Sequence, residues 1–162
     1  ATAGYLKAQI AAGAAAVQLF DSWVGELDAA TYRDFELPAV QLLLAELRAG
    51  DTPVILFTKG TGHLLDHLAQ VGVDVLSVDW RADLAALQQR FGRKVALQGN
   101  VDPCTLLGPV DAINAAVARA VEQTGGFGHI LNLGHGILPE TPVENALAFV
   151  RAGQSAPVAG AK

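Results

Sequence analysis

The chain has 162 residues, 51% of them apolar, enough for one domain with a sizeable core. Eleven basic against sixteen acidic residues leave a net charge of −5, so neither nucleic acid nor an anionic membrane is expected as a partner. Cys104 is the only cysteine, which excludes an intrachain disulfide and a cysteine-based zinc site and suits a reducing, cytoplasmic setting. No apolar run approaches the roughly 18 residues of a membrane span. The first twenty residues, with one lysine and interrupted apolarity, do not read as a signal peptide. Methionine is absent even at position 1, and we expect the natural start to lie elsewhere.

Residues 5–12 read as the end of a helix stopped by Gly13, and 14–20 (AAAVQLF) as a first strand running into Asp21-Ser22-Trp23. Residues 31–48 carry Phe35, Leu37, Val40, Leu43, Leu44 and Leu47 at helical spacing. Pro38 is expected to kink or restart that helix and Gly50 to follow its end. A second strand at 53–58 (PVILFT) precedes the turn Lys59-Gly60-Thr61-Gly62 and a short helix at 64–70. The third strand, 73–78, ends in Asp79-Trp80-Arg81 and leads into a helix at 83–91 closed by Gly92. A fourth strand, 94–98, is followed by Gly99-Asn100-Val101-Asp102-Pro103, and Asp111 is placed as N-cap of a long helix to about Thr124. The fifth strand, Ile130 to Leu133, is apolar enough to be buried on both faces; a last helix covers 142–151 and a loose tail 154–162.

Strand, turn and helix repeated five times with short turns predict parallel strands with helices packed outside. Two architectures fit: an open doubly wound sheet, or part of a (β/α)8 barrel. A barrel needs eight such units in about 250 residues, so in that case three leading strands lie outside the sequence.

The fifth strand delivers His135 between Gly134 and Gly136, at the strand end where α/β folds place their chemistry. Flanking glycines permit unusual backbone angles and close ligand approach, which favours a functional His135 over a loop residue bonded to its own backbone. Asp21-Ser22 either meets a ligand or caps the next segment; no G-x-S-x-G surrounds Ser22, so a hydrolase nucleophile is not expected. Lys59-Gly60-Thr61-Gly62 matches neither phosphate-binding glycine motif and reads as a tight turn. His63 and His67 stand at i and i+4, but Leu64 occupies the place of the H-E-x-x-H glutamate and no third ligand is evident, so no metal is expected. Cys104 reads as a small packed residue, and capping accounts for Asp79 and Asp102.

Five strand-end segments, QLFDSW at 18–23, GTGHLL at 60–65, SVDWR at 77–81, LQGNVDP at 97–103 and NLGHGILP at 132–139, together resemble the uroporphyrinogen decarboxylase family, in its order and at its approximate spacing. The resemblance implies a (β/α)8 TIM barrel with only about the last five βα units present, residues 1–153 forming the C-terminal part of the barrel domain and 154–162 a flexible tail. It implies removal of four acetate carboxyl groups from uroporphyrinogen III to give coproporphyrinogen III, without metal or organic cofactor, by a homodimer when full length. Ser22 would hydrogen-bond the tetrapyrrole, Phe20 would wall the cleft, and His135 would meet a substrate carboxylate. The family's arginine pair, its pyrrole-gathering aspartate and its active-site tyrosine lie earlier than this sequence, so no catalytic residue is assigned here and the chain alone is expected to be inactive. Eight substrate carboxylates facing a net-negative chain point the same way, since the cationic wall must be supplied elsewhere.

Two alternatives compete. Zinc-dependent corrinoid or coenzyme M methyltransferases resemble the same barrel but carry His-x-Cys after one strand and a further cysteine in the last loop; here Phe57-Thr58-Lys59 and His135 stand there. A non-enzymatic truncated barrel would instead pair through open strand edges.

Overall fold

Pro53 ends a polar turn, and the run Val54-Ile55-Leu56-Phe57-Thr58 that follows is rich in β-branched and aromatic residues, which suit a buried strand. The computed structural model describes residues 1–47, 50–92 and 94–157, and the chain divides into two compact units, Ala1–Leu76 and Ser77–Lys162. Strands β1 (Val17–Asp21), β2 (Val54–Thr58), β3 (Val75–Val78), β4 (Ala96–Val101) and β5 (His129–Leu133) are ordered β1-β2-β3-β4-β5. No strand is skipped. That sequential order belongs to a (β/α) barrel wall and not to a sheet with a switch point, where the order reverses.

In the first unit β1 and β2 pair in parallel, Val17 opposite Val54 through Asp21 opposite Thr58. Helix α1 (Thr2–Ala11) packs on β1 and on α3 (Leu37–Leu47), burying Leu6, Val17, Leu44 and Leu47. The helical stretch expected from Thr31 begins earlier, at α2 (Ala29–Thr31), because Asp28 Oδ1 accepts the N–H groups of Ala30 and Thr31 at 2.9 and 3.0 Å. Between α2 and α3 the residues Tyr32–Glu36 widen to a π turn, with Leu37 N–H reaching back to Tyr32 O. Pro38 supplies the reason: it has no N–H for the α-helical ladder and its ring needs room there. The expected helix end at Arg48 lies outside the described residues. After β2 a single turn (Gly62–Leu64) precedes the four-residue α4 (Leu65–Leu68).

In the second unit β4 and β5 pair in parallel, Leu97 opposite His129 through Val101 opposite Leu133. Strand β4 therefore extends through Gly99, Asn100 and Val101, which read as a loop in the sequence. Helix α5 (Leu84–Phe91) is capped by Asp83, whose Oδ1 takes the Ala86 N–H at 3.1 Å, and Gly92 closes it. Helix α6 (Val110–Thr124) packs on β4, β5 and α7 (Val143–Ser155), burying Ile113, Val117 and Ala120. Asp111 is not its N-cap. Pro109 holds that place, pre-set in φ, and Asp111 falls in the first turn, where its charge faces the positive helix end. Asn145 at the start of α7 is buried and donates from Nδ2 to the carbonyls of Leu106 and Gly108, at 2.7 and 3.0 Å. Helix α7 runs to Ser155, beyond Arg151 and into the segment expected as a tail; residues 158–162 of that segment lie outside the described residues.

Strands β2, β3 and β4 are buried nearly throughout, as continuous apolar runs predict. Strand β5 is not: Ile130 is 43% exposed and its neighbours are only half covered. It stands at the end of the strand order with one partner, and an edge strand lacks the second neighbour that would cover it.

Candidate functional site

The residues singled out in the sequence stand where parallel strands end, and each unit presents its own group. In the first unit Phe20, the penultimate residue of β1, is 73% exposed with one flank against the Phe57 ring at 5.9 Å. Asp21 Oδ1 accepts the Val24 N–H at 3.0 Å and so caps the turn Val24–Glu26. Burial pushes the Asp21 carboxyl above its ordinary range, against the pull of the Val24 and Trp23 N–H groups. Capping thus occupies Asp21, while the half-buried Ser22 hydroxyl meets no hydrogen-bond partner among the described residues and is available to a ligand.

The turn after β2 is packed against that same segment. A side chain at Gly25 would collide with the carbonyl of Lys59, so only glycine lets the two backbones meet there. Lys59 Nζ lies 5.8 Å from the Trp23 ring centre, and the Thr58 and Thr61 hydroxyls bond at 3.0 Å. The Lys59-Gly60-Thr61-Gly62 turn is thus explained by packing. His63 Nε2 is 2.8 Å from the Leu27 carbonyl while the His67 ring lies 5.9 Å from Tyr32, so the i, i+4 pair turns to separate neighbours. Among the described residues no group of three or more His, Cys, Asp or Glu is placed to hold a metal.

In the second unit the ends of β3, β4 and β5 converge. Asp79 is buried; its Oδ1 accepts the Arg81 N–H at 2.9 Å and its Oδ2 an Arg81 Nη1 hydrogen at 3.0 Å. The Arg81 guanidinium lies over the Trp80 ring, 4.4 Å from its centre. Asn100, buried at the end of β4, donates from Nδ2 to the Asp79 and Ala82 carbonyls at 2.9 and 2.7 Å, pinning the turn after β3. Gly134 follows β5, gives its N–H to Val101 O at 2.7 Å, and rests against the backbone nitrogen of Trp80, where a Cβ would collide. The exposed His135 ring then meets Trp80 edge-on, centres 6.5 Å apart and planes at 84°.

This geometry revises the reasoning about the flanking glycines. Gly134 is glycine because the Trp80 backbone leaves no room, whereas nothing stands within 4 Å of a Cβ at Gly136. Two further readings are corrected. Cys104 is exposed and not packed, because Pro103 and Leu106 are the residues that the short 3-10 helix Pro103–Leu107 buries; Asp102 caps that helix, its Oδ1 taking the Cys104 N–H at 2.9 Å. Asp79 does not cap a helix; it holds Arg81, and Asp83 is the cap. Trp80, Arg81 and Asn100 were missed as site residues, although SVDWR directly after a strand was a signal for the first two. Asn100 lies in the LQGNVDP segment, but nothing local marks it as a buried donor, since its partners are backbone carbonyls about twenty residues away.

A profile of the uroporphyrinogen decarboxylase (URO-D) family matches residues 1–156. The chain is 46% identical over 151 residues to the uroporphyrinogen decarboxylase of Gloeobacter violaceus, covering 92% of this chain and 44% of the relative. Identity is 48% over 153 residues to that of Pseudomonas syringae pv. tomato (91% and 43%) and 43% over 164 residues to that of Nostoc punctiforme (100% and 46%). The chain thus spans a little under half the length of these curated relatives. Among solved structures it is similar to a methyltransferase from Methanosarcina mazei, TM-score 0.78 at 29% identity, over 90% of this chain and 43% of that one. The parallel five-stranded α/β sheet and this likeness agree on a partial (β/α)8 barrel. With its family profile running from residue 1 to residue 156, the chain belongs to the uroporphyrinogen decarboxylase family.

Proposed function

We propose that the intact protein to which this chain contributes decarboxylates the four acetate side chains of uroporphyrinogen III, giving coproporphyrinogen III in porphyrin biosynthesis. The observation that carries this reading is 43–48% identity to curated uroporphyrinogen decarboxylases over nearly the whole chain. Phe20 and Ser22 after β1 and His135 after β5 serve as substrate contacts: Phe20 lays an apolar ring against the tetrapyrrole, the Ser22 hydroxyl hydrogen-bonds it, and His135 meets a carboxylate. Each step protonates a pyrrole carbon. The carbon–carbon bond to the carboxylate then breaks, and its electron pair neutralises the cationic ring as carbon dioxide leaves. A second proton converts the exocyclic methylene to methyl, and the proton first added to the ring carbon departs to restore the pyrrole, so that one proton is consumed for each carbon dioxide released. A buried carboxylate facing the pyrrole N–H groups stabilises that cation. The resemblance assigns that carboxylate and the arginines that clamp the substrate to none of these 162 residues, and the 162 residues alone are expected to be inactive. No metal or organic cofactor takes part. In this reading the intact protein works as a homodimer in the cytoplasm, and this chain's net charge of −5 offers no cationic excess to nucleic acid or an anionic membrane.

The test is anaerobic incubation of the intact protein with uroporphyrinogen III, followed by chromatography of the oxidised porphyrins. Conversion to coproporphyrin supports the reading, and unchanged uroporphyrin defeats it. The Methanosarcina likeness favours one other reading, methyl transfer; tested against the zinc-dependent thiol methyltransferases weighed from the sequence, a methylated thiol acceptor with added zinc would put that reading in its place.

A further inference from the structure

The geometry points to Arg81 as a second carboxylate contact beside His135, an inference that rests on the tetrapyrrole reading of the site. The buried Asp79 carboxylate fixes one end of the guanidinium through Nη1 at 3.0 Å, and the Trp80 ring fixes its plane from 4.4 Å below. Anchored this way, Arg81 has little conformational freedom left to lose on binding. Its side chain is nonetheless 56% exposed, against 5% for Asp79, and among the described residues Nε and Nη2 meet no hydrogen-bond partner. A stacked guanidinium with a free edge is the arrangement that grips a carboxylate by two parallel N–H donors.

The indole that carries Arg81 over its ring also meets the His135 ring in a T-shaped contact, so the two groups share one side chain. Asn100 holds the Arg81 turn through the Asp79 and Ala82 carbonyls, and Gly134 holds the His135 loop against Trp80 N. Both groups are therefore carried on backbone fixed to the same point. A ligand with several carboxylates around one ring system offers partners to both at once, and a net charge of −5 makes each placed cation count. Arg81 would otherwise serve only to neutralise Asp79. That role occupies one nitrogen and predicts no effect on substrate.

The experiment is steady-state kinetics of the intact protein with uroporphyrinogen III at several salt concentrations, for Arg81→Gln, Arg81→Lys and His135→Ala. A substrate contact raises KM about three- to tenfold in Arg81→Gln with kcat within about twofold, and flattens the dependence of KM on salt. Arg81→Lys recovers part of the loss. If Arg81→Gln unfolds, Asp79→Asn/Arg81→Gln removes the carboxylate that needed neutralising, and the same KM criterion applies. Wild-type KM and salt dependence in the folded Arg81 variant, with His135→Ala still impaired, overturn the Arg81 contact and leave the reading of the site intact. Wild-type kinetics in His135→Ala as well overturn both.

Discussion

Adding one carbon at Gly134 should cost the protein more than the size of a methyl group suggests. A Cβ there would collide with Trp80 N and lie 2.9 Å from the Asp79 carbonyl carbon and 3.1 Å from Trp80 Cα. All three are main chain, so no rotamer change relieves the overlap and the loop must lift from the end of β3. Overpacking of this kind costs about 1–3 kcal/mol, and the Gly134–Val101 hydrogen bond at 2.7 Å, strained or broken, adds about 1 kcal/mol. Gly134→Ala should therefore lose about 2–4 kcal/mol, a fall of roughly 30- to 1,000-fold in the folded-to-unfolded ratio. Gly136→Ala is the control: its Cβ meets nothing within 4 Å, so it should stay within about 0.5 kcal/mol or gain slightly from a stiffer unfolded chain. Urea titration of both variants reads the difference as a midpoint shift of about 1–2 M. If the two variants unfold together, the Trp80 backbone is not what fixes the His135 loop.

Two further outcomes can be checked alongside it. Burial, with the charges of Glu36 and Asp21 behind it, pushes the Tyr32 phenol up to about 12 from 10.0. The folded state holds that proton more tightly, so the associated stability is intact below pH 10 and is lost as pH rises toward about 12. Wild type should weaken relative to Tyr32→Phe across that window in urea melts, and parallel pH profiles would contradict it. The exposed Cys104 thiol is held above its ordinary range chiefly by the Asp102 charge. Iodoacetamide should label it slowly in the folded protein and several-fold faster in Asp102→Asn, which keeps the cap but removes the charge; equal rates would show that Asp102 does not govern it.

Strands and helices were legible because their signals are local: continuous apolar runs for β2 and β3, helical spacing from Phe35 to Leu47, Gly92 after α5. Errors arose where a distant neighbour decides. Gly99-Asn100-Val101 reads as a turn by residue type, yet it continues β4 because β5 pairs with it and Asn100 spends its donors on the turn after β3. Strand β5 reads as buried because Ile130, Leu131 and Leu133 are apolar, but covering an edge strand depends on a neighbour that no local window contains. Asp111 looked like a cap, but Pro109 two residues earlier had already set the helix start. Gly134 was rightly suspected for the wrong reason, since the backbone that requires it lies more than fifty residues upstream, at Trp80. His135 stands out by its place at a strand end between two glycines, and Asp21-Ser22 by its place after β1; the substrate roles of Ser22 and His135 come from the resemblance alone.

His135 bears the central claim, that the loop after β5 receives a carboxylate of the tetrapyrrole. Equilibrium titration of the intact protein with uroporphyrin III, the oxidised tetrapyrrole that keeps all eight carboxylates but is not turned over, wild type against His135→Ala, measures it most directly. The account predicts binding weakened roughly tenfold or more by the substitution, with the fold unchanged by circular dichroism. Equal dissociation constants for the two proteins would contradict it.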